Sequence, residues 1–147
     1  MVNYITPGEV FGDLALLVGE RRSATVTADS NSRQVLAFGT NFSVFGELED
    51  FRLITLATKL AFYRNTVHNL RWKLEVYRSK HPSSCLAQDH HRIALYTGPR
   101  DTRDELKSLH VQAVQLARLL MQWNKSFGQL SLAEIGAPDP RIVALMG

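Results

Sequence analysis

Cysteine, long apolar runs and strong net charge are all scarce in this chain of 147 residues. The single cysteine, Cys85, excludes an internal disulfide and favours a reducing setting. No apolar run approaches the roughly 18 residues of a membrane span, and no basic segment followed by an apolar stretch opens the sequence. A net charge of +3 does not by itself argue for nucleic acid. We therefore expect a cytoplasmic protein with no membrane segment.

The sequence also lacks the usual signatures of catalysis. It contains no nucleophile elbow, no paired-carboxylate arrangement and no phosphate loop with Gly-Lys-Ser/Thr. Cys85, His90 and His91 match no common zinc spacing, and adjacent histidines do not easily bind one ion together. We therefore expect a protein that is not an enzyme and has no metal and no cofactor.

The segment from Gly8 to Ala28 has the composition of a small anion site. Glycines at positions 8, 12 and 19 allow tight turns or close approach of a ligand to the backbone. Between them, Asp13 to Val18 is predicted to be a short helix whose first N–H groups favour negative charge. Arg22 follows, and a guanidinium can bind two oxygens of one phosphate.

This segment resembles the phosphate-binding cassette of the cyclic nucleotide-binding domain family. The matching residues are FGDLALL from position 11 and RSATV from position 22. The resemblance implies that Arg22 and N–H groups near Ser23 hold the cyclic phosphate of cAMP or cGMP. It also implies that Asp13, where the family has Glu, accepts a hydrogen bond from the ribose. The ligand-binding residues implied by the resemblance are Gly12, Asp13, Leu14, Ala15, Arg22, Ser23 and Ala24.

The same resemblance implies an α+β fold in which residues 1–48 form a partial β-roll of the jelly-roll type. Strands are expected at Val2–Ile5, Ala24–Ala28 and Gln34–Phe38, and a helical turn at Phe42–Glu47. In the family the cassette follows several strands, whereas only seven residues precede Gly8 here. We therefore expect either a fragment of a longer protein or a shortened variant.

A long helix over residues 49–80 is predicted from apolar periodicity alone. Eight residues, spaced alternately by three and four positions, form a heptad stripe with no glycine or proline inside it. One interpretation is a parallel homodimer through this helix, as in the catabolite activator family. The other is packing of the stripe on a later helix of the same chain. The predicted interface residues are Leu53, Leu56, Leu60, Tyr63, Val67, Leu70, Leu74 and Tyr77.

Residues 81–147 are predicted to contain a connector, a second amphipathic helix and a short tail. The connector has one apolar run, Ile93–Tyr96, that is compatible with a strand. A capping box at Thr102 and Glu105 marks the start of the second helix, and Gly128 marks its end. The tail resembles a helix-turn-helix, but Pro138 and Pro140 interrupt it. We do not expect direct DNA binding.

Three functions are compatible with these patterns. The first is a regulatory module of the cyclic nucleotide-binding type that signals through a long dimer helix. The second is an interaction protein without a ligand that dimerises through the heptad helix. The third is a DNA-binding regulator of the catabolite activator type.

Overall fold

The structure, a computed structural model, describes residues 5, 7–8, 10–22 and 25–128. Every regular element in these ranges is helical, and none of the described residues lies in a β-strand. The two long helices account for most of the ordered backbone. In chain order the elements are α1 (Asp13–Val18), α2 (Phe42–Phe45), α3 (Leu56–Lys80), a 3₁₀ helix (Cys85–Arg92) and α4 (Arg103–Phe127).

The predictions of an α+β fold and a partial β-roll are therefore wrong, and so is the resemblance to the cyclic nucleotide-binding family that implied them. Residues 25–28 and 34–38 have no regular secondary structure, and neither segment is paired with a strand among the described residues. Two short segments without a neighbouring sheet do not form a stable β structure in water. Of the predicted strand Val2–Ile5 only Ile5 is described, and Ala24 also lies outside the described residues.

Helix α3 begins seven residues later than the predicted Glu49. The Asp50 carboxylate accepts hydrogen bonds from the backbone N–H and the guanidinium of Arg52, which favours a turn at this point. The Thr55 hydroxyl then caps the helix by accepting from the Thr58 N–H at 3.2 Å. The helix ends at Lys80, as predicted, just before His81 and Pro82.

Helix α4 confirms its predicted capping signals. The Thr102 hydroxyl accepts from the Glu105 N–H at 3.1 Å, and the Gly128 N–H donates to the Asn124 carbonyl at 3.0 Å. Gly128 has φ 78°, a conformation that glycine adopts without strain. The 3₁₀ helix was not predicted, and Ile93–Tyr96 is not a strand. The predicted short tail lies outside the described residues.

Helices α3 and α4 run parallel and share one core. Arg64 pairs with Glu105 near the start of both helices, and Tyr77 contacts Trp123 near their ends. The connector between them has to run back along α3, and the 3₁₀ helix lies on this return path. The residues of the core are Phe45, Leu60, Tyr63, Val67, Leu70, Leu74, Tyr77, Leu106, Leu109, Ala113, Leu116, Ala117, Leu120 and Trp123.

Candidate functional site

The residues predicted to bind phosphate are only partly described. Gly12 precedes α1 with φ 82°, and a Cβ added there would lie 3.4 Å from Nη1 of Arg22. The guanidinium is therefore next to the start of α1, where Asp13 is the first helical residue. Ser23 and Ala24 lie outside the described residues.

Helix α1 has a packing role that the resemblance did not indicate. Leu14 is partly buried against the core, together with Leu17 and Val18, and α1 packs on α4. Ala15 is half-buried on the same short helix. No β-sheet forms a second wall opposite these residues in the described part of the chain. The family resemblance therefore no longer supports cyclic nucleotide binding, and the assignment of these residues to a ligand stays a prediction.

The heptad stripe predicted as a dimer interface faces α4 instead. Its first member, Leu53, lies before α3 and is 74% exposed, and Leu56 is only partly buried. The packing of these side chains within one chain matches the second interpretation of the stripe. It leaves them unavailable to a second copy. The six members that the core buries are Leu60, Tyr63, Val67, Leu70, Leu74 and Tyr77.

Large apolar side chains are exposed to solvent on residues 25–40, which we call the arm. Val26 and Val35 are more than half exposed, Leu36 is 82% exposed, and Phe38 is fully exposed. Scattered single apolar residues are common on protein surfaces, whereas a concentration of them marks an interaction site. Among the described residues, nine of the twelve exposed large apolar side chains lie between Ile5 and Val44, and the two most exposed, Leu36 and Phe38, belong to the arm.

The backbone of the arm has no regular secondary structure and makes few hydrogen bonds to the described residues. Its one backbone–backbone hydrogen bond to a described residue is a turn, in which the Ser32 N–H donates to the Asp29 carbonyl at 2.9 Å. The Asp29 carboxylate also accepts from the Asn31 N–H at 2.7 Å. On either side of this turn, β-branched and apolar residues favour a strand conformation. The arm therefore offers both apolar side chains and unpaired backbone groups to a partner.

A buried lysine fixes the helical core next to the arm. Lys59 is fully buried on α3, and its ammonium donates to the Glu47 carbonyl at 2.6 Å and the Leu48 carbonyl at 3.3 Å. The same ammonium lies 4.8 Å from the centre of the Phe45 ring, a cation–π distance. Burial lowers the pKa of Lys59, opposed by the negative charges of Asp50 and Glu47. The segment after the arm is thus anchored to α3.

Sequence reasoning assigned the arm to a β-roll and therefore missed it as a surface. The signal was present, because Val35, Leu36 and Phe38 are large apolar residues in a short segment bounded by turn residues. The anchoring role of Lys59 carried no sequence signal, since a lysine on a basic helix is usually solvated.

No family model, no curated protein and no solved structure matches this chain. Among the described residues, no helix combines the length and the apolar character that crossing a membrane requires. The function of the chain is accordingly argued from its surfaces and side-chain clusters.

His68, which is buried, and His110, which is partly buried, should make the protein less stable in acid. Burial lowers the pKa of His68 and of His110 from the ordinary value of 6.5, and Nδ1 of His110 is hydrogen-bonded to the Tyr63 hydroxyl at 2.9 Å. Below pH 6.5 the unfolded chain binds protons that the folded chain does not, so the free energy of unfolding decreases as the pH is lowered. Above pH 6.5 the histidines are neutral in the unfolded chain too, and this loss of stability is absent.

We expect urea denaturation to give a lower free energy of unfolding at pH 5.5 than at pH 7.5, by up to about 1.4 kcal/mol per group and pH unit. His110→Gln removes one titrating group and should reduce the difference between the two pH values. An identical pH dependence in the variant would contradict the role assigned to His110.

Proposed function

We propose that this chain is a non-catalytic interaction protein that forms a homodimer through its arm. The observation that carries the proposal is the full exposure of Phe38, close to the exposed Leu36, in a segment that forms neither helix nor strand. The helical core of α3 and α4 acts as the scaffold that presents this segment. Dimerisation was also expected from the heptad stripe, but the surface proposed here is a different one.

A second copy of the chain is the partner that best fits the arm. Residues 25–40 carry one acidic residue, Asp29, and one basic residue, Arg33, so their net charge is zero. Two arms can therefore approach without charge repulsion, although the chain as a whole is basic. Pairing of the two arm backbones satisfies their exposed N–H and C=O groups, and the apolar side chains pack across the new interface.

The test compares substitutions in the arm with a matched substitution elsewhere. We expect sedimentation velocity to show a monomer–dimer equilibrium that shifts to monomer in the double variant Leu36→Asp, Phe38→Asp. Its dissociation constant should be at least about tenfold higher than that of the unmodified chain. Leu95→Asp and Val111→Asp together place the same two charges on other exposed apolar residues and should leave the equilibrium unchanged. A chain that stays monomeric at high concentration, or an equal effect of this control double variant, would overturn the proposal.

A further inference from the structure

Three side chains from two elements converge beside the return segment of the connector. Glu75 lies on α3, and His90 and His91 are consecutive residues of the 3₁₀ helix. Oε1 of Glu75 is 2.7 Å from Nε2 of His90 and 3.3 Å from Nε2 of His91. One nitrogen or oxygen from each of the three residues lies within 4.8 Å of the others. Two imidazoles and a carboxylate therefore face a common point.

Neighbouring arginines hold this cluster in place. Nε of Arg78 donates to Oε2 of Glu75 at 2.8 Å, which leaves Oε1 to the histidines. The Arg71 guanidinium donates to the backbone carbonyls of His90 and Ile93, and so fixes the end of the 3₁₀ helix against α3. In metal sites the residues that bind the ion are oriented by hydrogen bonds of this kind.

His90 directs its polar interactions toward the cluster. Its side chain is 2% exposed, its ring meets the edge of Trp123, and its Nδ1 is buried without a hydrogen-bond partner. The polar environment of this ring is consequently on the Nε2 side, where Glu75 lies. His91 is 54% exposed, so the point shared by the three residues is open to solvent on one side.

We propose that Glu75, His90 and His91 bind one divalent transition-metal ion, for which zinc is the best match. Imidazole nitrogen together with carboxylate oxygen suits zinc, whereas calcium and magnesium prefer oxygen ligands alone. Three protein ligands leave a fourth tetrahedral position for water on the exposed side of His91. This inference is independent of the arm and of the proposed dimer.

The distances are compatible with tetrahedral zinc after a small adjustment. Ligand atoms about 2.1 Å from a tetrahedral ion are about 3.4 Å from one another. The 3.3 Å separation between Glu75 and His91 already has this value. The 2.7 Å separation between Glu75 and His90 is that of a hydrogen bond, and it widens when the ion binds Nε2 of the neutral tautomer that carries its proton on Nδ1. The ion brings two positive charges near Arg78 and Arg71, so we expect micromolar rather than nanomolar affinity.

A metal role was not expected for these histidines, because with Cys85 they match no common zinc spacing and because adjacent histidines do not easily bind one ion together. In the structure the third side chain next to the histidines is Glu75, not Cys85. Glu75 is 15 residues before His90 and on a different helix. The spacing alone could not indicate this pairing, because it depends on the connector returning along α3. The short 3₁₀ helix also allows both rings to turn toward the same carboxylate oxygen.

Calorimetric titration of zinc chloride into the full chain tests the site. We expect one ion per chain, and an affinity that His91→Ala and Glu75→Gln each lower by at least about tenfold. His91 is exposed and Gln keeps the shape of Glu, so neither change should prevent folding. His81→Ala is the control, since it removes a histidine from the end of α3 without touching the cluster.

A second readout confirms the geometry of the ligands. Cobalt chloride bound in the same site should give the intense visible absorption of a tetrahedral complex, and His91→Ala should abolish it. Magnesium chloride should produce no saturable heat. The proposal is overturned if zinc does not bind the unmodified chain, or if His81→Ala weakens binding as much as His91→Ala does.

Discussion

Leu74→Ala should lower the free energy of unfolding by about 2–5 kcal/mol. Leu74 is completely buried between α3 and α4, so the substitution removes apolar contacts and leaves a cavity that the two helices cannot fully close. Urea denaturation followed by circular dichroism measures the loss. Because α4 of the same chain covers this leucine, the loss should not depend on protein concentration.

Leu53→Ala is a matched control, because both leucines belong to the same predicted heptad stripe. Leu53 is 74% exposed, so its truncation should change the free energy of unfolding by less than about 0.5 kcal/mol. Both variants are best measured in the background of Leu36→Asp, Phe38→Asp, which removes the contribution of arm association. Equal losses at both positions, growing as the protein is diluted, would instead support a dimer through α3.

The buried stripe on α3 was predicted correctly from Leu60 to Tyr77. The surface that covers it could not be predicted. The spacing of apolar residues shows which face of a helix is buried and contains no information about which surface covers it. The second helix carries a stripe with the same spacing, from Leu106 to Trp123. Two such stripes in one chain can pair only if the connector is long enough to return along α3, and residues 81–102 provide that length for a parallel pair.

Capping residues gave the most accurate boundaries. Thr102 and Gly128 mark the ends of α4 because their side-chain or backbone geometry satisfies groups that the helix leaves unpaired. The start of α3 was misplaced because the apolar periodicity extends back to Leu53, which lies before the helix. The hydrogen bonds from Arg52 to Asp50 form a turn there, and such local bonds compete with helix formation.

The β-roll prediction was wrong for a related reason. Extended, β-branched segments indicate a strand conformation, but a strand is stable only next to other strands. Residues 34–38 have the composition of a strand, but they pair with no strand among the described residues. The strand-like composition that led to the wrong fold prediction also supports the arm as an interaction surface. Apolar strand-like segments without neighbours in their own chain are suited to pairing with another one.

Glu105→Gln should cost about 2–4 kcal/mol of stability, the second large effect expected in the core. The Glu105 side chain is 7% exposed and accepts from Nε and Nη2 of Arg64 at 2.9 and 2.8 Å, and from the Asp101 N–H at 2.6 Å. An amide offers only one acceptor oxygen, so its NH₂ group must face a donor. Arg64 then keeps a single hydrogen bond to the amide oxygen and its pair with the exposed carboxylate of Asp101, but it loses its partly buried counter-charge while remaining largely buried itself.

Glu49→Gln makes the same chemical change at an exposed ion pair and serves as the control. Glu49 lies 3.3 Å from Lys107, and both side chains are about half exposed to solvent. Solvent screens such a pair, so the change should cost less than about 1 kcal/mol. Chemical denaturation of Glu105→Ala, Arg64→Ala and the double variant then measures the coupling energy between the two core residues. A coupling energy near zero, or equal losses for the two glutamates, would show that this ion pair does not hold the first turn of α4 against α3.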